Sequence, residues 1–133
     1  MEKSLHVDLR DTGHSFVLNV NQNQLQETCI ALALLQYEHI KHLTFVSDNA
    51  SLTLELAKSK NRKKDSIEST LLKRGKSTFL LVSIGLVQYF FNFYLFQIAN
   101  PEKDWAHIDY EIDRVDGGFK SKRYMLTVGV VHN

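Results

Sequence analysis

The sequence is short of cysteine, proline and net charge, and each shortage excludes a class of protein. The one cysteine, Cys29, cannot form an internal disulfide, and within the apolar stretch LQETCIALALL we expect it to be a buried core residue rather than a reactive thiol. One proline and six glycines exclude collagen-like and disordered compositions. Sixteen basic and fifteen acidic side chains nearly cancel, so no overall charge attracts the chain to nucleic acid.

We also expect no secretory signal, because the first residues, MEKSLHVDLR, are charged and then alternating instead of apolar. With a single cysteine, this start predicts a cytoplasmic protein. A length of 133 residues, 44% of them hydrophobic, is enough for one domain covering 1–133 with a substantial buried core.

Specific catalytic motifs are absent: the chain has no nucleophile elbow, no phosphate-binding glycine loop and no cysteine pair at zinc spacing. His39 and His42 are three apart, but no local carboxylate or cysteine completes a metal site, and histidines near a helix C-terminus also interact favourably with its dipole. His107, Asp109 and Glu111 are predicted to share one face of a strand. An ordinary solvated strand face has the same alternation of charged residues, so this pattern does not indicate a metal site. We therefore expect no metal and no cofactor, and a binding protein rather than an enzyme.

A long stretch without any charged residue covers Thr78–Asn100, TFLLVSIGLVQYFFNFYLFQIAN. Its length permits a membrane span, but amides at membrane depth need partners that one span cannot supply, so we favour a buried core helix. A strand over Thr78–Ile84, a break at Gly85 and then a helix is the third interpretation. The helix would expose one narrow strip of small and amide residues to solvent, at Gly85, Gln88, Asn92 and Ala99.

Before this stretch, period-two alternation around Leu5–Leu9 and in SFVLNVN predicts an N-terminal hairpin. A helical pattern then begins near Gln24 and continues toward Leu43, with a strand expected over His42–Ser47. For LTLEL we favour a helix over a strand, and we expect a short helix that begins near Asp65 or Ser66 and ends at Gly75.

After Asn100-Pro101 the chain returns to alternation, with Ile108, Tyr110 and Ile112 before a VDGGFK turn and a second alternating run after it. The elements together predict an α+β two-layer sandwich: a mostly antiparallel sheet of about five strands, made of the two terminal hairpins and one further strand, packed on the long apolar helix and a second helix.

One resemblance is carried by NQLQETCIALALL…HLTFVSDNASL, a helix followed by a strand that ends in an aspartate. This segment resembles the ribonuclease-H-like nucleases, in which a helix-borne Glu and a strand-terminal Asp join a first-strand Asp to bind two metal ions. The resemblance implies a site of Asp8, Glu27 and Asp48 that activates water for phosphodiester hydrolysis, and a metal-dependent nuclease is our alternative function.

We expect the protein to act by occupying a surface of another protein, as small inhibitors and toxin-neutralising immunity proteins do. One predicted contact surface is the acidic strand face of Asp109, Glu111 and Asp113, which suits a basic toxin or enzyme. The other is a basic loop, with contacts expected from Lys60, Arg62, Lys63 and Lys64. Eight of the sixteen basic residues fall within 58–76, so a nucleic-acid-binding adaptor is a further alternative.

Overall fold

A computed structural model describes residues 2–57, 68–75, 77–101, 105–116 and 123–131. These residues form an α+β fold with two helices and two mixed sheets, of six and four strands. The strands are β1 Glu2–His6, β2 Asp8–Asp11, β3 Ser15–Asn21, β4 His42–Val46, β5 Ser51–Leu56, β6 Ser69–Arg74, β7 Ser77–Val82, β8 Trp105–Glu111, β9 Arg114–Val115 and β10 Met125–Val131. The helices are α1 Leu25–Gln36, preceded by a 3-10 turn at Gln22–Gln24, and α2 Ile84–Ala99.

The larger sheet has the strand order β1-β4-β5-β7-β6-β9 and the smaller sheet β2-β3-β10-β8. Four of the pairs are parallel: β1 with β4, β5 with β7, β6 with β9, and β3 with β10. The remaining pairs are antiparallel. The prediction of one mostly antiparallel sheet of about five strands is therefore wrong, because the strands are divided between two mixed sheets.

The division between sheets starts at Val7, where the chain leaves β1 in the larger sheet and enters β2 in the smaller one. Leu5 and Leu9 lie on either side of this crossing, and both are buried in the same core cluster. The alternation that suggested one strand is thus shared by two strands on different sheets. The predicted N-terminal hairpin is formed by β2 and β3 instead.

Two predicted helices are strands in the structure. Leu52, Leu54 and Leu56 are all buried on β5, which is the period of a strand with one face on the core. The segment before Gly75 is β6, which forms a hairpin with β7. Gly75 has a positive φ of 63° and belongs to the turn of that hairpin, so it ends a strand and not a helix.

The central apolar stretch is a strand followed by a helix. β7 ends at Val82, and the side chain of Ser83 caps α2 by accepting a hydrogen bond of 3.1 Å from the backbone nitrogen of Leu86. Ser83 therefore marks the break, two residues before Gly85. Neither α1 nor α2, the helices in the described part of the chain, has the length and apolarity that a membrane crossing requires.

Both helices connect one sheet to the other: α1 runs from β3 to β4, and α2 runs from β7 to β8. They pack side by side. α1 ends at Gln36 rather than continuing toward Leu43, which is buried on β4. The buried side chains of both sheets and both helices form one core cluster, so the surfaces left for function are the outer faces of the sheets and of the helix pair.

Candidate protein-binding surface

The helix pair carries the exposed hydrophobic surface. Within the described ranges, six large hydrophobic side chains are exposed, and all of them lie on α1, at its end, or on α2: Ile30, Tyr37, Tyr89, Leu95, Phe96 and Ile98. We call these six residues the exposed helical face. Single exposed hydrophobics are ordinary, but several on neighbouring elements are typical of interaction sites.

The outward side of α2 is also free of charge, since the helix IGLVQYFFNFYLFQIA contains no ionisable acid or base other than tyrosine. Gln88, Asn92 and Ala99 are exposed there, as the expected narrow strip, and Gly85 is half-buried. The strip is wider than expected because Tyr89 and Phe96 flank it. On the inward side, Leu86, Val87, Phe90, Tyr94 and Gln97 are buried.

The two helices meet near the start of α1 and the end of α2. Gln26 and Ile98 line one surface cleft there, of about 310 Å³. Ile30 is one turn beyond Gln26 on the same side of α1, so Ile30 of α1 and Ile98 of α2 lie near the boundary between the two helices. Below the surface Cys29 is buried, and this burial raises the pKa of its thiol to about 11.

The predicted acidic strand face is divided by the structure. Asp109 and Glu111 point outward from β8, with side chains 55% and 51% exposed. Asp109 accepts a hydrogen bond of 2.7 Å from Thr127 Oγ1, and Arg123 Nη2 lies 3.1 Å from Glu111 Oε2. His107 Nε2 also lies 3.6 Å from Asp109 Oδ2, and about half of each acidic side chain remains exposed to solvent.

The third predicted acid, Asp113, has a different environment. Its Oδ2 accepts hydrogen bonds from the backbone nitrogen of Ser69, at 2.9 Å, and from the hydroxyl of Tyr110, at 3.0 Å. The Ser69 hydroxyl in turn donates to the Tyr110 oxygen at 3.0 Å. Burial and the adjacent Asp113 carboxylate hold the pKa of Tyr110 above its usual range, against the smaller lowering effect of the bond from Ser69. The Asp113 carboxylate joins the end of β8 to β6 and does not extend the outward face.

The predicted nuclease residues are only partly together. Asp8 and Asp48 line one surface cleft of about 320 Å³, with Arg10 also in its wall. Glu27 lies exposed in the first turn of α1 and is not part of that lining. Where side chains are described, no group of three or more histidine, cysteine, aspartate or glutamate residues is placed to hold a metal ion.

The basic contact residues Lys60, Arg62, Lys63 and Lys64 lie outside the described residues. Beside the two ends of that segment, where β5 ends and β6 begins, is a surface cleft of about 520 Å³. Its wall mixes both signs of charge, from Glu55, Glu68, Asp113, Arg74 and Arg114.

The outer face of the six-stranded sheet holds a charged network centred on His42. Its two ring nitrogens lie 3.2 Å from Glu2 Oε1 and 2.8 Å from Glu55 Oε1. Arg74 is 3.7 Å from the same Glu55 oxygen and stacks over the ring of Phe79 at 4.8 Å. The network links β1, β4, β5, β6 and β7, so its charges face one another across the sheet.

Sequence reasoning missed the exposed helical face, because apolar residues on a long uncharged stretch were all assigned to a core. The available signal was the amide strip itself, since Tyr89 and Phe96 are neighbours of Gln88 and Asn92 on a helix. Neither a protein-family model nor a curated protein matches this chain.

Proposed function

We propose that this protein is a small protein-binding module that acts by occupying a surface of another polypeptide, in the manner of inhibitors and toxin-neutralising immunity proteins. The observation that supports this is the exposed helical face: in the described part of the chain, the exposed large hydrophobic side chains are gathered on one pair of helices. Burial of such side chains against a partner is favourable by about 25 cal/mol for each Å² removed from water. A single buried cysteine agrees with a cytoplasmic location.

A second contact surface is the pair Asp109 and Glu111 on β8. Their outward carboxylates suit a basic partner, such as a nuclease or another basic enzyme, and would mainly increase the rate of association. Asp113 differs from these two acids because one of its carboxylate oxygens accepts hydrogen bonds from Ser69 and Tyr110, so we assign it a smaller share of this contact.

The alternative functions have less support. A metal-dependent nuclease would need Asp8, Glu27 and Asp48 together, and Glu27 does not line the cleft that the two aspartates share. A nucleic-acid-binding adaptor acting through 58–76 predicts an affinity that falls steeply with salt concentration.

Affinity capture from the native host tests the proposal with four forms of the chain. Phe96→Glu puts a charge on the exposed helical face, Asp109→Lys reverses the acidic strand face, and Asn49→Asp is a control at an exposed loop residue elsewhere. A protein retained by the wild type and the control but lost by Phe96→Glu supports the helical contact. If the captured protein is lost only with Asp109→Lys, the contact lies on β8. A partner that every form retains equally contradicts both surfaces.

A further inference from the structure

We propose that a second copy of this chain covers the outward side of α2, forming an antiparallel helix pair about a two-fold axis at Asn92. This inference rests on the proposed function, because it names the partner of the exposed helical face. Most soluble oligomers are closed homo-oligomers and two-fold dimers are the commonest, so self-association is the first occupant to consider for an apolar surface.

The residues on this side of α2 are arranged symmetrically about Asn92. The helix covers Ile84–Ala99, so Asn92 is at its middle, with Gly85 seven residues before it and Ala99 seven residues after it. Tyr89 lies three residues before Asn92 and Leu95 three residues after. A two-fold axis at Asn92 brings each residue opposite the one equally far on the other side, which places small residues together at both ends and Tyr89 against Leu95.

The spacing agrees with helix-to-helix packing. Gly85, Gln88, Asn92, Leu95 and Ala99 are separated by steps of three and four, which is the pattern of the contact positions along one side of a paired helix. Small residues at the ends let two helix backbones approach. The larger side chains of Tyr89 and Phe96, which are seven residues apart, then lie together along one side of the contact line.

Charge favours a second copy over a strongly acidic or basic partner. α2 carries no aspartate, glutamate, lysine, arginine or histidine, so two copies meet without like-charge repulsion, while a charged partner finds no opposite charge on the helix. Asn92 can both donate and accept hydrogen bonds, so two Asn92 amides can satisfy each other across the axis. A single asparagine in such a contact is a known means of fixing which residues face each other.

The available area also suits a modest dimer. Tyr89, Leu95, Phe96 and Ile98 are 40–46% exposed, which at about 200 Å² for a whole large side chain gives roughly 350 Å² of apolar area. Ile30 and Tyr37 lie on α1 or at its end and are not counted, because the proposed pair is made by α2 alone. The contact is therefore smaller than a standard interface of about 800 Å² per partner and belongs to the weakly associating class. We therefore expect a reversible dimer that dissociates in the micromolar range.

The test uses charge at the proposed axis. Asn92→Asp and Asn92→Lys each place two like charges face to face in a homodimer, whereas a mixture of the two forms pairs opposite charges. The matched controls are Asn49→Asp and Asn49→Lys, the same substitutions at an exposed residue in the loop between β4 and β5. Circular dichroism checks that each form is folded, and light scattering coupled to size exclusion gives the mass over a range of protein concentrations.

We expect the wild type and both controls to approach twice the monomer mass of 15.3 kDa as concentration rises. Each Asn92 variant alone should dimerise at least roughly tenfold more weakly, and an equimolar mixture of the two should recover the dimer. A wild type that stays monomeric at several hundred micromolar, or Asn92 variants that dimerise like the wild type, would overturn the inference.

The same forms separate this inference from the proposed function. If the chain is monomeric but Phe96→Glu still abolishes capture of a different protein, the second-copy inference fails while the protein-binding function stands. If Phe96→Glu, Asp109→Lys and the Asn92 variants all leave both dimerisation and capture unchanged, both proposals fail.

Discussion

Replacing Asp113 with alanine should destabilise the protein far more than replacing either of the two acids that precede it in the alternating pattern. The substitution removes the acceptor for the Ser69 backbone nitrogen and for the Tyr110 hydroxyl. Hydrogen bonds to charged groups contribute about 1.5–3 kcal/mol each when buried. Because Asp113 is itself exposed on one side, we take a combined loss of about 2 kcal/mol in the free energy of unfolding.

Asp109 and Glu111 are the matched controls, since their partners Thr127 and Arg123 contact them at the exposed surface. Each alanine variant there should change the free energy of unfolding by no more than about 0.5–1 kcal/mol. Asp113→Asn keeps the shape and one acceptor oxygen, so its loss should lie between those of Asp113→Ala and the controls.

Urea unfolding followed by circular dichroism measures these differences in the free energy of unfolding. In a thermal melt of a chain of this size, a loss of about 2 kcal/mol corresponds to a melting temperature lower by roughly 6–12 °C. An Asp113→Ala variant no less stable than the two control variants would refute the structural role of this carboxylate. Asp113 would then be available to a partner, as its place in the sequence pattern suggested.

Two further predictions concern the core. A methyl group at Gly129 would lie 2.6 Å from Asn19 Oδ1 and 3.2 Å from the backbone oxygen of Ala106. Gly129→Ala should therefore lower the free energy of unfolding, measured by urea unfolding, by about 1–3 kcal/mol. In an Asn19→Ala background the same substitution should cost at most half as much. Equal losses in both backgrounds would show that the contact with Asn19 does not affect stability. The pKa of Cys29 is raised from 9.0 to about 11 by burial, so between these pH values the thiol ionises in the unfolded chain but not in the folded one. Stability should fall as pH rises through this window, and less steeply in Cys29→Ala; identical pH profiles for the two proteins would contradict this.

Local pairing was predicted for the hairpins near the two ends of the chain, but not for the β4–β5 and β6–β7 hairpins, each of which contains a segment predicted as a helix. The C-terminal hairpin is an example: its two alternating runs were predicted to pair, and β8 and β10 are antiparallel neighbours with Tyr110 opposite Leu126. The strand β4 was predicted for a similar reason, because a short β-branched and aromatic run ending in Asp48-Asn49 is typical of a strand.

The sequence did not predict which of these acids share a surface. Alternation places Asp109, Glu111 and Asp113 on one face only if all three belong to the same continuous strand. β8 ends at Glu111, and the chain then turns toward the other sheet through Asp113 to β9. The hydrogen bond between Ser69 and Asp113 cannot be predicted from the local pattern, because the two residues are far apart in the sequence.

The sequence by itself determined the classes of residue that are mostly buried, the two terminal hairpins and the absence of charge on the central stretch. Only the tertiary structure decided that β1 and β2 belong to different sheets, that β1 pairs with β4 and β3 with β10, and that α2 exposes Tyr89 and Phe96. The physical reason is that an apolar residue gains the same free energy by burial in any contact. The amino-acid sequence therefore shows that such a residue prefers to be buried. It does not show which distant element of the chain, or which second molecule, covers the residue.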